Sequence, residues 1–258
     1  MRVCYFIQSH RDPEQILRLV ETLRRGSAGG IIVVQHHARD FLLDWARFAR
    51  LPDVRQFIAR APQLRSAYSC QTEPYLDVIE WLDSEGIDYD WIVNLTAQDY
   101  PVKPVVELEA MLERSDADGF LRYWDVLSSD SPWSKRKVRA RYWHRYWRLP
   151  DGSERLLHGL RFLTTFSPIH FYLVYGPWVG LRRLGTPFDD GFRCYGGWAW
   201  FSLRREAARY LPEALRRRPD VEAYYRRTVT SEESLVQTLL VNAGRFRLVN
   251  DDPRSSSR

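Results

Sequence analysis

The chain has 258 residues, 45% hydrophobic and 28% charged, with a formal net charge of +5. This apolar share excludes an intrinsically disordered chain, and the length suits one large α/β domain or two small ones. The cationic surplus favours anionic partners such as nucleic acid, lipid headgroups or a nucleotide diphosphate, although a solvated arginine-rich surface gives the same balance.

Strand and helix signals alternate through the first hundred residues. Val3–Gln8 reads as a strand, and Asp12-Pro13 as an N-cap with proline in the first helical turn. Ile16, Leu17, Val20 and Leu23 follow at helical spacing. Gly29-Gly30 opens a second strand, Ile31–Val34; Phe41–Leu51 reads as a helix and Val54–Ala59 as a short strand. Leu76, Ile79 and Leu82 mark a helix ending near Gly86; Trp91–Leu95 is a third strong strand and Val105–Leu112 another helix. The second half is less regular. Gly119–Asp125 and Tyr195–Leu203 read as strands, Arg205–Arg217 and Ser234–Ala243 as helices, and the tail 251–258 as frayed. The alternation predicts an α/β fold, a mainly parallel sheet flanked by helices with mixed strands in the second half.

Ligands of such sheets bind beyond the carboxyl ends of the strands. The informative exits are therefore Ser9-His10-Arg11, Gln35-His36-His37 and Thr96-Ala97-Gln98-Asp99. Ten Trp and fourteen Tyr suit a cleft in which a ring face packs on the C–H face of a sugar, or simply an aromatic core. In Trp133–Arg148, cations alternate with rings. That pattern fits single-stranded nucleic acid, a sugar or anionic glycan, or aromatics docked on the body. No glycine-rich phosphate loop and no zinc spacing is present. The triplets Asp88-Tyr89-Asp90 and Asp116-Ala117-Asp118 precede strands rather than follow them, and Asp99 stands alone. No metal site is expected, and no cofactor; arginine and lysine would have to stabilise a leaving group.

Cys4, Cys70 and Cys194 form no disulfide framework, which points to a reducing cytoplasm. Met1-Arg2 runs directly into a strand-like segment, so no leader peptide is expected. The apolar stretch Phe166–Gly180 is interrupted at Ser167, Pro168, His170 and Pro177, short of the ~18 clean residues that span a bilayer. The expected location is cytoplasmic, with at most peripheral contact at the inner face of the membrane.

Four blocks resemble one family. Asn94-Leu95-Thr96-Ala97-Gln98-Asp99-Tyr100-Pro101-Val102-Lys103-Pro104 is similar to the NLSG-x-D-[FY]-P-[IL]-K block of the core-2/I-branching β-1,6-N-acetylglucosaminyltransferases and the related peptide O-xylosyltransferases. Phe6–Arg11 resembles their first strand, Gly197–Glu206 their GSxWFxLSRE block, and Ser231–Ser234 with Thr238-Leu239-Leu240 their PDExxxxT block. The resemblance implies a Rossmann-like GT-A domain and inverting, metal-independent transfer from a UDP-sugar to a glycan. It implies Glu233 as general base. It implies donor contacts from Ile7, Ser9, His10, His36 and Tyr68, and acceptor contacts from Asp125, Lys137 and Arg141. From the residues themselves, Asp99 at a strand exit is expected near the donor sugar, and one of Trp198 and Trp200, on one strand face after the close-approach entry Gly196-Gly197, is expected to stack on an acceptor sugar.

Residues 1–115 would form the nucleotide-sugar half and residues 116–250 the acceptor-binding half. The family's diphosphate-gripping Arg and Lys, beyond its last helix, find no counterpart in this sequence: either the sequence is truncated, or Arg245, Arg247 or the basic stretch substitutes, or the protein is inactive. Other readings stay open. Thr230–Glu233 also fits a capping box, and Asp99 also fits a turn aspartate before Pro101. Trp133–Arg148 would serve a nucleic-acid-binding module, a less favoured partner class, and a degenerate fold would only bind UDP or glycan.

Overall fold

The structure is a computed structural model and describes residues 1–37, 42–59, 68–160, 168–174 and 176–251. Its first strand, β1 (Val3–Ser9), is buried at all but one position, as a central strand covered on both faces requires. Helix α1 (Pro13–Gly26) starts with Pro13 in its first turn and buries Ile16, Leu17, Leu19, Val20 and Leu23. Asp12 is not the side-chain cap expected from sequence; it adopts a left-handed conformation with φ 55° and makes no capping bond. Strand β2 (Ile31–His36) follows. Next comes α2 (Trp45–Phe48), a single turn where a helix over Phe41–Leu51 was expected; Phe41 lies outside the described residues.

Strand β3 (Val54–Phe57) and a π-helical turn, Tyr68–Thr72, precede α3 (Glu73–Ser84), β4 (Trp91–Thr96), α4 (Val105–Arg114) and β5 (Gly119–Asp125). The basic aromatic stretch is not irregular. It forms α5 (Lys135–Tyr142) and β6 (His144–Arg148). After α6 (Glu154–Gly159), the interrupted apolar segment supplies β7 (Ile169–Tyr172) and β8 (Trp178–Arg182). Then come β9 (Tyr195–Arg204), α7 (Arg205–Arg217), α8 (Pro219–Tyr225), a 3₁₀ turn Ser231–Glu233, α9 (Leu235–Ala243) and β10 (Leu248–Val249).

Seven strands make the central sheet in the order β10-β5-β9-β4-β1-β2-β3. All neighbours are parallel except β9, which runs against both β4 and β5. Side chains alternate across it: Cys4 and Phe6 face α3, α7, α8 and α9, whereas Val3, Tyr5 and Ile7 face α1, α2 and α4. The fold is thus the expected α/β arrangement, a mainly parallel sheet between helices. A second, antiparallel sheet of β6, β8 and β7 was not anticipated. No helix among the described residues is long and apolar enough to cross a membrane.

The strand order reverses between β1 and β4, since β2 follows on one side of β1 and β4 lies on the other. A crevice outside the carboxyl ends at such a switch point is where α/β sheets take ligands.

Candidate active site

The exits of β1, β2 and β4 are stitched together at that crevice. Ala97 N donates to Gln8 O at 3.0 Å, and His37 N to Ser9 O at 2.8 Å. The Ser9 hydroxyl donates to Gln35 O at 3.1 Å and lies 2.8 Å from His36 Nδ1. Beyond Ser9, His10 and Arg11 are exposed. Ile7 is wholly buried in the core, at 0% exposure, and Tyr68 at 2%. The Tyr68 hydroxyl donates to Glu222 at 3.2 Å and Arg226 lies over its ring at 4.7 Å. Both side chains are thus packed within the core at this edge.

Asp99 is a loop-fixing residue. Its Oδ2 accepts from Thr96 N at 2.6 Å and Thr96 Oγ1 at 3.1 Å, which is the turn role, and also from Trp200 Nε1 at 3.3 Å. That last bond ties the loop to β9. Strand β9 leaves β4 after Val93↔Ser202, and its pairing with β5 jumps from Leu121↔Phe201 to Tyr123↔Gly197. Trp198, Ala199 and Trp200 therefore bulge from the sheet, with the two indoles 41% and 37% exposed. The space beside the two glycines before them is filled by protein rather than open to a ligand. A Cβ on Gly196 would meet the Trp133 ring at 2.4 Å, and one on Gly197 would meet Arg122 O at 1.9 Å. Asn94 Nδ2 donates to Ala199 O at 3.0 Å and Gln237 Nε2 to Trp198 O at 2.6 Å.

Glu233 ends the 3₁₀ turn that precedes α9, the helix that carries Gln237. Its carboxylate Oε2 is bound by Arg141 Nη1, with side-chain exposures of 31% and 16%. The capping box fails. Thr230 makes no side-chain cap, and Glu233 turns to Arg141 rather than back to the Thr230 N–H. Thr230 instead holds φ 58°, an outlier for a β-branched residue, and its carbonyl takes bonds from Glu233 N and Tyr142 Oη, both at 3.2 Å. Glu232, its neighbour in the turn, is buried at 9%.

Two links bring the turn to the carboxyl edge. Ser231 Oγ lies 3.1 Å from Thr72 Oγ1, beside Gln71 whose carbonyl accepts from Gln8 Nε2 at 2.9 Å. Ser234 Oγ donates to Tyr195 O at 2.7 Å, at the end of β9 paired with Asp125. Burial opposes the charge on Arg141, but Tyr142 and Glu233 outweigh it and raise its pKa further.

Trp133 roofs this pair, with Arg141 at 4.7 Å and Lys137 at 5.4 Å from its ring centre. It packs edge-on to Trp124 at 4.9 Å and stacks on Tyr142 at 6.1 Å. Tyr142 and Tyr146 are 0% exposed, so these rings of the basic stretch serve the core rather than an array of stacked bases. Tyr146 Oη donates to Ala140 O at 2.6 Å and lies 2.8 Å from His170 Nδ1; burial first, then His144, lowers the His170 pKa to about 4. Asp125 is fixed by Leu127 N at 2.9 Å and by Arg193 at 3.5 Å.

The Asp-x-Asp triplets lie at the opposite, amino edge of the sheet. Asp88 pairs with Arg205, Asp90 accepts from Arg2 N, and Asp116 and Asp118 hold Arg247. Arg245 lies over Tyr210 and Phe246. Arg245 and Arg247 are thus structural, which corrects their expected role as substitutes at the diphosphate. Among the described residues, no group of three or more His, Cys, Asp or Glu side chains is arranged to hold a metal ion.

The sequence model of the core-2/I-branching enzymes matches residues 3–255. The chain belongs to the core-2/I-branching enzyme family. It is therefore a glycosyltransferase-family protein, and the resemblance seen in the four blocks extends over almost the whole chain. No curated protein matches it. Among solved structures, it is 12% identical to a 4-diphosphocytidyl-2C-methyl-D-erythritol synthase, covering 98% of this chain and 90% of that one with a TM-score of 0.43. A nucleoside-diphosphate-sugar pyrophosphorylase from Vibrio cholerae RC9 is 13% identical, with 95% and 91% covered and a TM-score of 0.40. S. aureus TarS is 10% identical, with 56% of this chain and 25% of TarS covered and a TM-score of 0.37.

Asn94, Gln237 and Arg122 were not singled out from sequence. Asn94 opens the block that carries the family resemblance, and that was its one available signal. Gln237 sits within an apolar helix, where an amide signals a buried polar contact.

Proposed function

We propose that this enzyme is an inverting, metal-independent glycosyltransferase that moves GlcNAc from a UDP-sugar to a glycan hydroxyl on a GT-A-type domain. The observation that carries the reading is the Glu233 carboxylate, 31% open, gripped by Arg141 at the carboxyl edge of the sheet near two half-exposed indoles.

In this mechanism the acceptor oxygen attacks the anomeric carbon from the face opposite the diphosphate. The new C–O bond forms as the bond from that carbon to the UDP oxygen breaks, and the configuration inverts. The acceptor proton passes to Glu233 Oε1, while Oε2 stays on Arg141. A carboxylate within hydrogen-bond reach typically contributes ~10²–10⁴-fold. Arg141, a fixed cation, orients it.

Ser9, His10 and His36 border the donor from residues 1–115, and Asp99 fixes the loop beside it. Asp125, Lys137, Arg141, Trp198 and Trp200 border the acceptor from residues 116–250. With Arg245 and Arg247 engaged elsewhere, the charge on the departing diphosphate falls to cations of the basic stretch other than Lys137 and Arg141. Peptide O-xylosyl transfer would use the same base with a serine hydroxyl as acceptor.

Glu233→Gln tests the assignment. Gln keeps the size but cannot take the proton, so kcat should fall by about two orders of magnitude or more, with UDP affinity and melting temperature kept. A variant retaining more than about a tenth of wild-type turnover would move the base elsewhere.

A further inference from the structure

Trp198, Ala199 and Trp200 lie opposite one residue of β5, Arg122. Three residues against one interrupt the ladder, and the backbone groups released there need other partners. Side chains from both flanks supply them. Gln237 Nε2, on α9, donates to Trp198 O at 2.6 Å; Asn94 Nδ2, on β4, donates to Ala199 O at 3.0 Å. The third residue is held through its indole, which donates to Asp99 at 3.3 Å. Arg122 lies 5.6 Å from the Trp198 ring centre.

Both amides are buried, Gln237 at 0% and Asn94 at 7%. Gln237 Oε1 has no hydrogen-bond partner among the described residues. A buried amide with half of its capacity unmet costs stability, so its bond to Trp198 O is the one return visible in the fold. A Cβ on Gly197 would press on Gln237 at 2.9 Å, so the glycine is what lets the amide reach the bulge.

We propose that Gln237 and Asn94 are positioning residues that hold Trp198 and Trp200 as a preformed platform for a sugar ring, and that Gln237, in the first turn of the helix that follows the Glu233 turn, sets that platform relative to the base. The identity of the sugar as acceptor rests on the transferase reading; the positioning does not. Preformed geometry matters because a loose platform weakens ligand capture before it touches the chemistry.

The test uses the full chain labelled with 5-fluorotryptophan and read by ¹⁹F NMR, with lines assigned by Trp198→Phe and Trp200→Phe. Gln237→Met and Asn94→Ala should each shift or broaden the Trp198 and Trp200 lines and leave that of the distant Trp45 in place. In transfer assays, acceptor KM should rise about tenfold while kcat changes less than about threefold, and Gln237→Met should add nothing in a Trp198→Ala background. Unmoved Trp198 and Trp200 lines, or a KM rise that persists in that background, would overturn the proposal. If the lines move but no UDP-sugar is turned over, the positioning stands and the transferase reading falls. Should Gln237→Met not fold, Asn94→Ala reads the same platform from the opposite flank.

Discussion

The two edges of the central sheet carry the same kinds of side chain and treat them differently. At the amino edge, Asp88, Asp116 and Asp118 meet Arg205 and Arg247 in open solvent, and the Asp116–Arg247 pair is 73% and 66% exposed. At the carboxyl edge, Glu233 and Arg141 pair across 92 residues of chain with far less exposure, and Asp99 holds both a turn and the Trp200 indole. Carboxylates at the first edge close loops. Those at the second are held within hydrogen-bonded frames that reach helices, strands and exposed rings. Acidic triplets alone do not mark a site; which strand end they occupy and what they touch decides.

The comparison breaks most easily at Arg141. Arg141→Gln removes the partner of a half-buried charge, so stability should drop by about 1–3 kcal/mol. Turnover should fall by about tenfold or more because the base loses its orientation. Equilibrium unfolding together with steady-state kinetics reads both, and normal turnover in a destabilised variant would reduce the pair to scaffolding.

Asp99→Asn comes next. Weakening the bonds to Thr96 N, Thr96 Oγ1 and Trp200 Nε1 should cost about 1–2 kcal/mol, with turnover lowered less than tenfold through the displaced indole. A large loss of turnover at unchanged melting temperature would instead put Asp99 directly on the donor. The smallest effect belongs to the amino edge. Asp116→Asn breaks an exposed pair, so stability should change by less than about 1 kcal/mol and transfer not at all. A clear activity loss there would erase the distinction between the edges.

Much of this frame was legible in the sequence. The β1, β2 and β4 strands read as unbroken apolar runs because both of their faces are covered, and α7 was bounded by Arg205 and Arg217 as expected. The β6-β8-β7 sheet was not legible, because most of its residues are only half-buried and no clean alternation survives. The capping box misled for a related reason: a local pattern was overridden by a tertiary partner, Arg141, that no spacing rule reveals. The bulge in β9 was equally hidden. It arises from a register shift against β5, and sequence alternation alone predicts a straight strand.

The central claim is that the carboxyl edge houses an inverting, metal-free sugar transfer. The most direct measurement is transfer from a panel of UDP-sugars to glycan acceptors in excess EDTA, with the anomeric configuration of the product read by NMR. The account predicts UDP release coupled to a product inverted at the anomeric carbon, at a rate unchanged by the chelator. Retention of configuration, or activity lost on chelation and restored by Mn²⁺, would contradict it.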